Sequence, residues 1–223
     1  YHLYSKVVIS SRDDVRFQDT QVMLDKGMQE ITHGMIKRCR NFKLDPNLSR
    51  KAAIQVITGY DYLNSDKQNI HRYYTYGWDG MLSDNYRKND SLEMYKALVA
   101  LRDKLSKEHP NKKVSLVLHG HSHGGNLIFY LAFHENNLKK NLIIDQAILY
   151  GTPIQSETVC YCLHPMFKKI INIYSEGDHI QTADKLSTAS HTSGRRLGDF
   201  VNINNRSIID VCVSAEHDRT AFG

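Results

Sequence analysis

The sequence has 223 residues, 41% hydrophobic and 24% charged, with a formal net charge of +5. That suffices for one α/β domain with a sizeable core, not for two large ones, and no apolar run approaches the roughly 20 residues that a bilayer-spanning helix needs. The Lys and Arg residues are scattered and no basic–aromatic motif or recognition helix occurs, which argues against nucleic acid; the excess reads as a solvated surface, with peripheral contact to anionic lipid as the sharper alternative.

In chain order, the first fifty residues read as a separate extension packed on a catalytic domain that spans 51–223. Lys6 to Ser10 (KVVIS) is strand-like. Val22, Met28, Ile31, Met35 and Ile36 recur at loosely helical spacing and predict an amphipathic helix. From residue 52 strands and helices alternate. AIQVITG, bounded by Gly59, is a continuous apolar run and is expected as a strand, as is YYTYGW at 73–78. Ser91 to Lys107 carries Leu92, Tyr95, Leu98, Val99 and Leu105 on one face and predicts a helix. VSLVLHG at 114–120 is a buried strand and Asn126 to Glu135 a helix. DQAILYG at 145–151, KKIINIYSEGD at 168–178 and SIIDVCVSAE at 207–216 are three further strands. Apolar strands alternating with helices predict a mostly parallel sheet with helices on both faces.

The chemistry concentrates at Gly120-His121-Ser122-His123-Gly124-Gly125, between a predicted strand and a predicted helix. This is the Gly-x-Ser-x-Gly pattern in the context it needs. A nucleophile on a sharp strand-to-helix turn stands clear of the sheet, and close passage of neighbouring chain leaves no room for side chains at Gly120 and Gly124. The helix N-terminus then directs backbone N–H groups at the same point, where developing negative charge is stabilised.

A serine hydroxyl needs a general base. Asp178 ends a strand after Ser122, and His217 follows the last strand, so acid and base come in the order Ser, Asp, His. His217 would take the serine proton and Asp178 would orient the imidazole. Glu176 is the alternative acid, and His179 and His191 are alternative bases. The first oxyanion donor is expected at the His123 N–H. The second is expected from the loop Thr58-Gly59-Tyr60, at the Tyr60 N–H, with Asp61 as alternative.

No cofactor motif is read. His119, His121 and His123 alternate around the turn, which points them in different directions and argues against a metal. Cys160 and Cys162 with His164 lack a second ligand pair at zinc spacing. With Cys39 and Cys212 the four cysteines allow three pairings, none selected by the sequence. The chain starts at Tyr1 rather than Met, which leaves export behind a removed leader as an expectation.

From about Ile54 to His217 the chain resembles the lipase and esterase branch of the α/β-hydrolases. VLHGHSHGG is similar to the lipase turn, with His123 where leucine is common. YGWDGMLSDNYR, ILYGTP and YSEGDHIQ resemble segments of bacterial lipase-like hydrolases. The resemblance implies triad roles for Ser122, Asp178 and His217 and hydrolysis of carboxylic esters through an acyl-enzyme. Two departures stand out: Thr58 precedes Gly59 where lipases often have His, and no long apolar lid segment precedes Lys168. A smaller or more soluble ester is therefore expected over fat droplets. Thioester or peptide cleavage by the same triad, and a non-catalytic hydrolase-like binding module, are the alternatives.

Overall fold

The computed structural model describes residues 2–11, 27–40, 52–63, 69–80, 83–177, 194–201 and 207–213. Its strands are β1 (His2–Ser11), β2 (Gly27–Ile31), β3 (Ile70–Trp78), β4 (Lys113–His121), β5 (Gln146–Tyr150), β6 (Ile170–Tyr174) and β7 (Ile208–Cys212). Its helices are α1 (His33–Arg40), α2 (Ala52–Leu63), α3 (Asp84–Glu108), α4 (Gly124–Leu138) and the short α5 (Ser156–Val159). The strands form one seven-stranded sheet in the order β2-β3-β1-β4-β5-β6-β7. Among the described strands only β2 is antiparallel to its neighbour. The protein is thus an α/β fold with a mixed, mostly parallel sheet packed against helices.

Side chains alternate across a strand, and the two faces have separate covers. Val7 and Ile9 of β1, Leu116 and Leu118 of β4 and Leu149 of β5 join the main core with Met94, Tyr95 and Leu98 of α3 and Leu127, Ile128 and Leu131 of α4. On the other face Val8 and Tyr73 pack with Ile36 of α1 and Ala53 and Ile57 of α2. Strands buried on both faces read as continuous apolar runs, which is why β4 and β5 stand out in the sequence. Helix α3 begins after Ser83 with Asp84 in its first turn and ends with Lys107 in its last, ahead of Pro110. These charges suit the two poles of the helix dipole.

Two expectations about local structure are corrected. AIQVITG is helical, part of α2, rather than a strand. A short, mostly apolar run of seven residues fits either period, and the contacts decide: Ala53 and Ile57, four apart, form one buried helical stripe. Of the helix expected through Val22 to Ile36, Val22 lies outside the described residues, and the part from Gly27 onward is strand β2 followed, after Thr32, by α1. Pairing of Gly27–Ile31 with β3 supplies a ladder that the weak helical spacing could not foresee. The KVVIS segment, read as part of an extension, lies in β1, hydrogen-bonded between β3 and β4.

Candidate active site

Ser122 occupies the turn between β4 and α4 with φ of 52°. This left-handed conformation is uncommon for a residue with a side chain and costs on the order of 1–2 kcal/mol. The surroundings hold it there. Its N–H donates to the Tyr150 carbonyl at 2.9 Å, which extends the β4–β5 ladder into the turn. Its own carbonyl accepts from the Gly125 N–H at 3.0 Å. His123 follows as the N-cap of α4, so its N–H sits at the positive end of a helix of 15 residues. Ser122 is partly exposed, between exposed His121 and buried His123.

Two glycines make the turn sterically feasible. A Cβ on Gly120 would lie 2.8 Å from the Gly125 nitrogen and 2.9 Å from the Gly124 carbonyl carbon. A Cβ on Gly125 would lie 2.2 Å from Thr152 Oγ1 and 2.5 Å from Thr152 Cγ2. Helix α4 therefore starts in direct contact with the end of β4 and with the segment that follows β5.

That segment is braced by buried polar side chains that the sequence reading did not single out. Asn126 Nδ2 donates to the Pro153 carbonyl at 3.0 Å, and Thr158 Oγ1 donates to Asn126 Oδ1 at 2.6 Å. Arg87 Nη2 of α3 donates to Gln155 Oε1 at 3.2 Å. All four side chains are buried. The signal available was Asn126 itself, a polar residue opening an otherwise apolar helical run.

Beneath the turn, on the face covered by α2, lies a second polar group. His119 is 1% exposed, and its Nδ1 is 3.1 Å from the Tyr150 hydroxyl while its Nε2 has no hydrogen-bond partner among the described residues. Burial, reinforced by the positive charge of Lys6, lowers the imidazole to about 4, so it is neutral at ordinary pH. Lys6 is 5% exposed and stands 4.3 Å from the centre of the Tyr60 ring. Burial lowers its ammonium to about 8, against the opposing pull of Asp61.

The expected site residues are distributed as follows. Ser122 and His123 are on the turn. Tyr60 is within α2, not in a loop. A mid-helix N–H is directed along the axis at the carbonyl four residues earlier, so the Tyr60 backbone is not an oxyanion donor in this arrangement. Its side chain does reach the region: the ring meets His119 edge-on at 4.8 Å, and the hydroxyl shares a hydrogen bond with Tyr150. The backbone that borders the turn on this side is the end of β1, where Ile9 pairs with Gly120 and lies within 3.4 Å of a Cβ built on Gly124. Asp178, His217, His179 and His191 lie outside the described residues; Glu176 is exposed on a turn after β6. Cys160, Cys162 and Cys212 are free thiols, and no cluster of metal-ligating side chains occurs among the described residues.

No family model matches the chain, and comparison with curated proteins and with solved structures found no match.

Proposed function

We propose that the protein is a serine hydrolase of the α/β-hydrolase type that cleaves carboxylic esters, with Ser122 as nucleophile and Asp178 and His217 as its acid and base. The observation that carries this reading is the left-handed backbone of Ser122 on a tight strand-to-helix turn. A strained non-glycine residue persists where the surroundings over-determine it, and such residues cluster at functional sites. A turn of this kind lifts a hydroxyl clear of the sheet beside the start of the following helix, the arrangement required of a nucleophile with an oxyanion site beside it.

The sheet order supports the same reading. Strands β4, β6 and β7 are parallel, with β6 two strands and β7 three strands from β4. At about 4.8 Å per strand, their C-terminal ends lie roughly 10 and 14 Å from that of β4 along one edge. Asp178 follows β6 by four residues and His217 follows β7 by five. Both stretches are long enough to reach back, at up to about 3.4 Å per residue.

In this mechanism the Ser122 hydroxyl adds to the ester carbonyl while His217 accepts its proton. The oxyanion is held by the His123 N–H at the start of α4. Collapse expels the alcohol, which takes the proton back from His217, and water activated by His217 then releases the acid. Asp178 keeps the imidazole in the required tautomer.

The test is covalent labelling with a fluorophosphonate together with hydrolysis of p-nitrophenyl esters from acetate to palmitate. Wild type should label at Ser122 and cleave at least one ester, and Ser122→Ala should do neither. A folded wild-type protein that neither labels nor hydrolyses any ester would overturn the proposal in favour of a binding module.

A further inference from the structure

The parallel sheet has two edges of different character. Ser122 marks the C-terminal edge of β4. The opposite edge, where β4, β5 and β6 begin, gathers positive charge. Lys112 and Lys113 stand at the start of β4, Lys139 and Lys140 directly follow α4, and Lys168 and Lys169 precede β6. The last two turns of α3 add Arg102, Lys104 and Lys107. Four acids share this pole, namely Asp103, Glu108, Glu135 and Asp145. Nine basic against four acidic residues leave this pole with a formal excess of five positive charges among the described residues.

The acids do not neutralise it. Asp103 is 2.8 Å from Arg102, Glu108 is 3.8 Å from Lys104 and Asp145 is 2.8 Å from Lys168. Glu135 accepts instead from the Tyr95 hydroxyl and from the N–H groups of Asn141 and Leu142. The other six lysines have no acidic partner among the described residues. Favourable placement at helix C-termini accounts for Lys107 and Lys139. It does not account for the lysines that open strands. Between them is a cleft of about 430 Å³, floored by Val114 and Leu116 and rimmed by Arg102, Lys112, Lys113 and Lys168. Exposed aliphatic side chains stand among the charges: Leu138 is 42%, Ile143 37% and Leu163 46% exposed.

We infer that this basic pole docks on an anionic lipid bilayer, with the lysines at the headgroups and Leu138, Ile143 and Leu163 entering the interface. The side-chain types favour lipid over an acidic protein. Lysine is depleted from protein–protein interfaces, whereas arginine and aromatic residues are enriched; eight of the nine cations here are lysine and the exposed apolar residues are aliphatic. Lysines near an anionic leaflet are attracted within about a Debye length, and adjacent apolar area adds to the hold. Nine residues of β4 separate the two edges, about 30 Å at 3.3 Å per residue. A docked molecule would therefore carry the Ser122 turn on its far side, turned to solution.

The experiment is co-sedimentation of the full chain with vesicles of phosphatidylcholine alone and with about one-third phosphatidylserine, at low and high salt. Binding to the anionic vesicles should be at least tenfold tighter and should fall away in high salt. The double variant Lys140→Glu, Lys169→Glu should lose at least tenfold in binding. A control of equal net charge away from the pole, Lys88→Glu with Lys96→Glu in the first half of α3, should lose much less. Equal binding to both vesicle types, no binding at low salt (the outcome for a protein partner), or equal losses in both variants, each shown folded by circular dichroism, would overturn the inference. The same measurements on Ser122→Ala should match wild type, which keeps this result independent of the hydrolase reading.

Discussion

Ser122 is held in a conformation that its side chain disfavours. Ser122→Gly should therefore be more stable than Ser122→Ala by about 1 kcal/mol, the left-handed penalty less part of glycine's entropy cost. Urea denaturation of the two variants checks this, and both should fail to label with a fluorophosphonate. The residue was legible in the sequence because the glycines, the serine, the preceding strand and the following helix lie within one short stretch. His119 was visible too, but its state was not. Its imidazole is at about 4 in the folded protein against 6.5 in the unfolded chain. The unfolded state thus takes up the proton first as pH falls. Stability is present in full above pH 6.5 and is lost as pH falls towards 4, by on the order of 2–3 kcal/mol for this group. The difference in unfolding free energy between wild type and His119→Asn, measured across that range, should shrink as the pH is lowered. A difference constant with pH would show that His119 does not carry the linkage.

Among elements, the junction of β4, α4 and the segment after β5 positions the turn. Asn126 ties α4 to Pro153 and Thr158. Asn126→Ala removes a buried donor and acceptor together and leaves the Thr158 hydroxyl without that partner. A loss of about 1–3 kcal/mol is expected, with slower labelling of Ser122 as the segment loosens; unchanged labelling would separate the brace from the site. The elements that sequence reading located are those with strong local patterns: β3 to β7, and the long amphipathic α3. The misread ones lack such a pattern. AIQVITG satisfies both periods, and its helical form follows from packing on Val8 and Tyr73. Gly27–Ile31 is a strand because β3 is beside it.

For the molecule as a whole, β1 decides whether a domain can begin at residue 51. It pairs with β3 on one side and β4 on the other over most of its length, and Leu3, Val7 and Ile9 are buried in the main core. A chain starting at residue 51 should therefore not fold cooperatively. Circular dichroism and urea titration would check this, and a sigmoidal transition like that of the full chain would show that the sheet closes without β1.

The sequence by itself determined the alternation of strands and helices from β3 onward and the Gly-x-Ser-x-Gly turn, because each depends on residue types within a few positions of one another. Tertiary structure alone decided the central position of β1, the helical state of Ala52–Leu63, the neutral His119 beside Lys6, and the collection of lysines at one pole. Each of these arises from residues far apart in the chain that the sheet order brings together. Burial, charge and hydrogen-bond partners are set by those neighbours in space, and no local pattern encodes them.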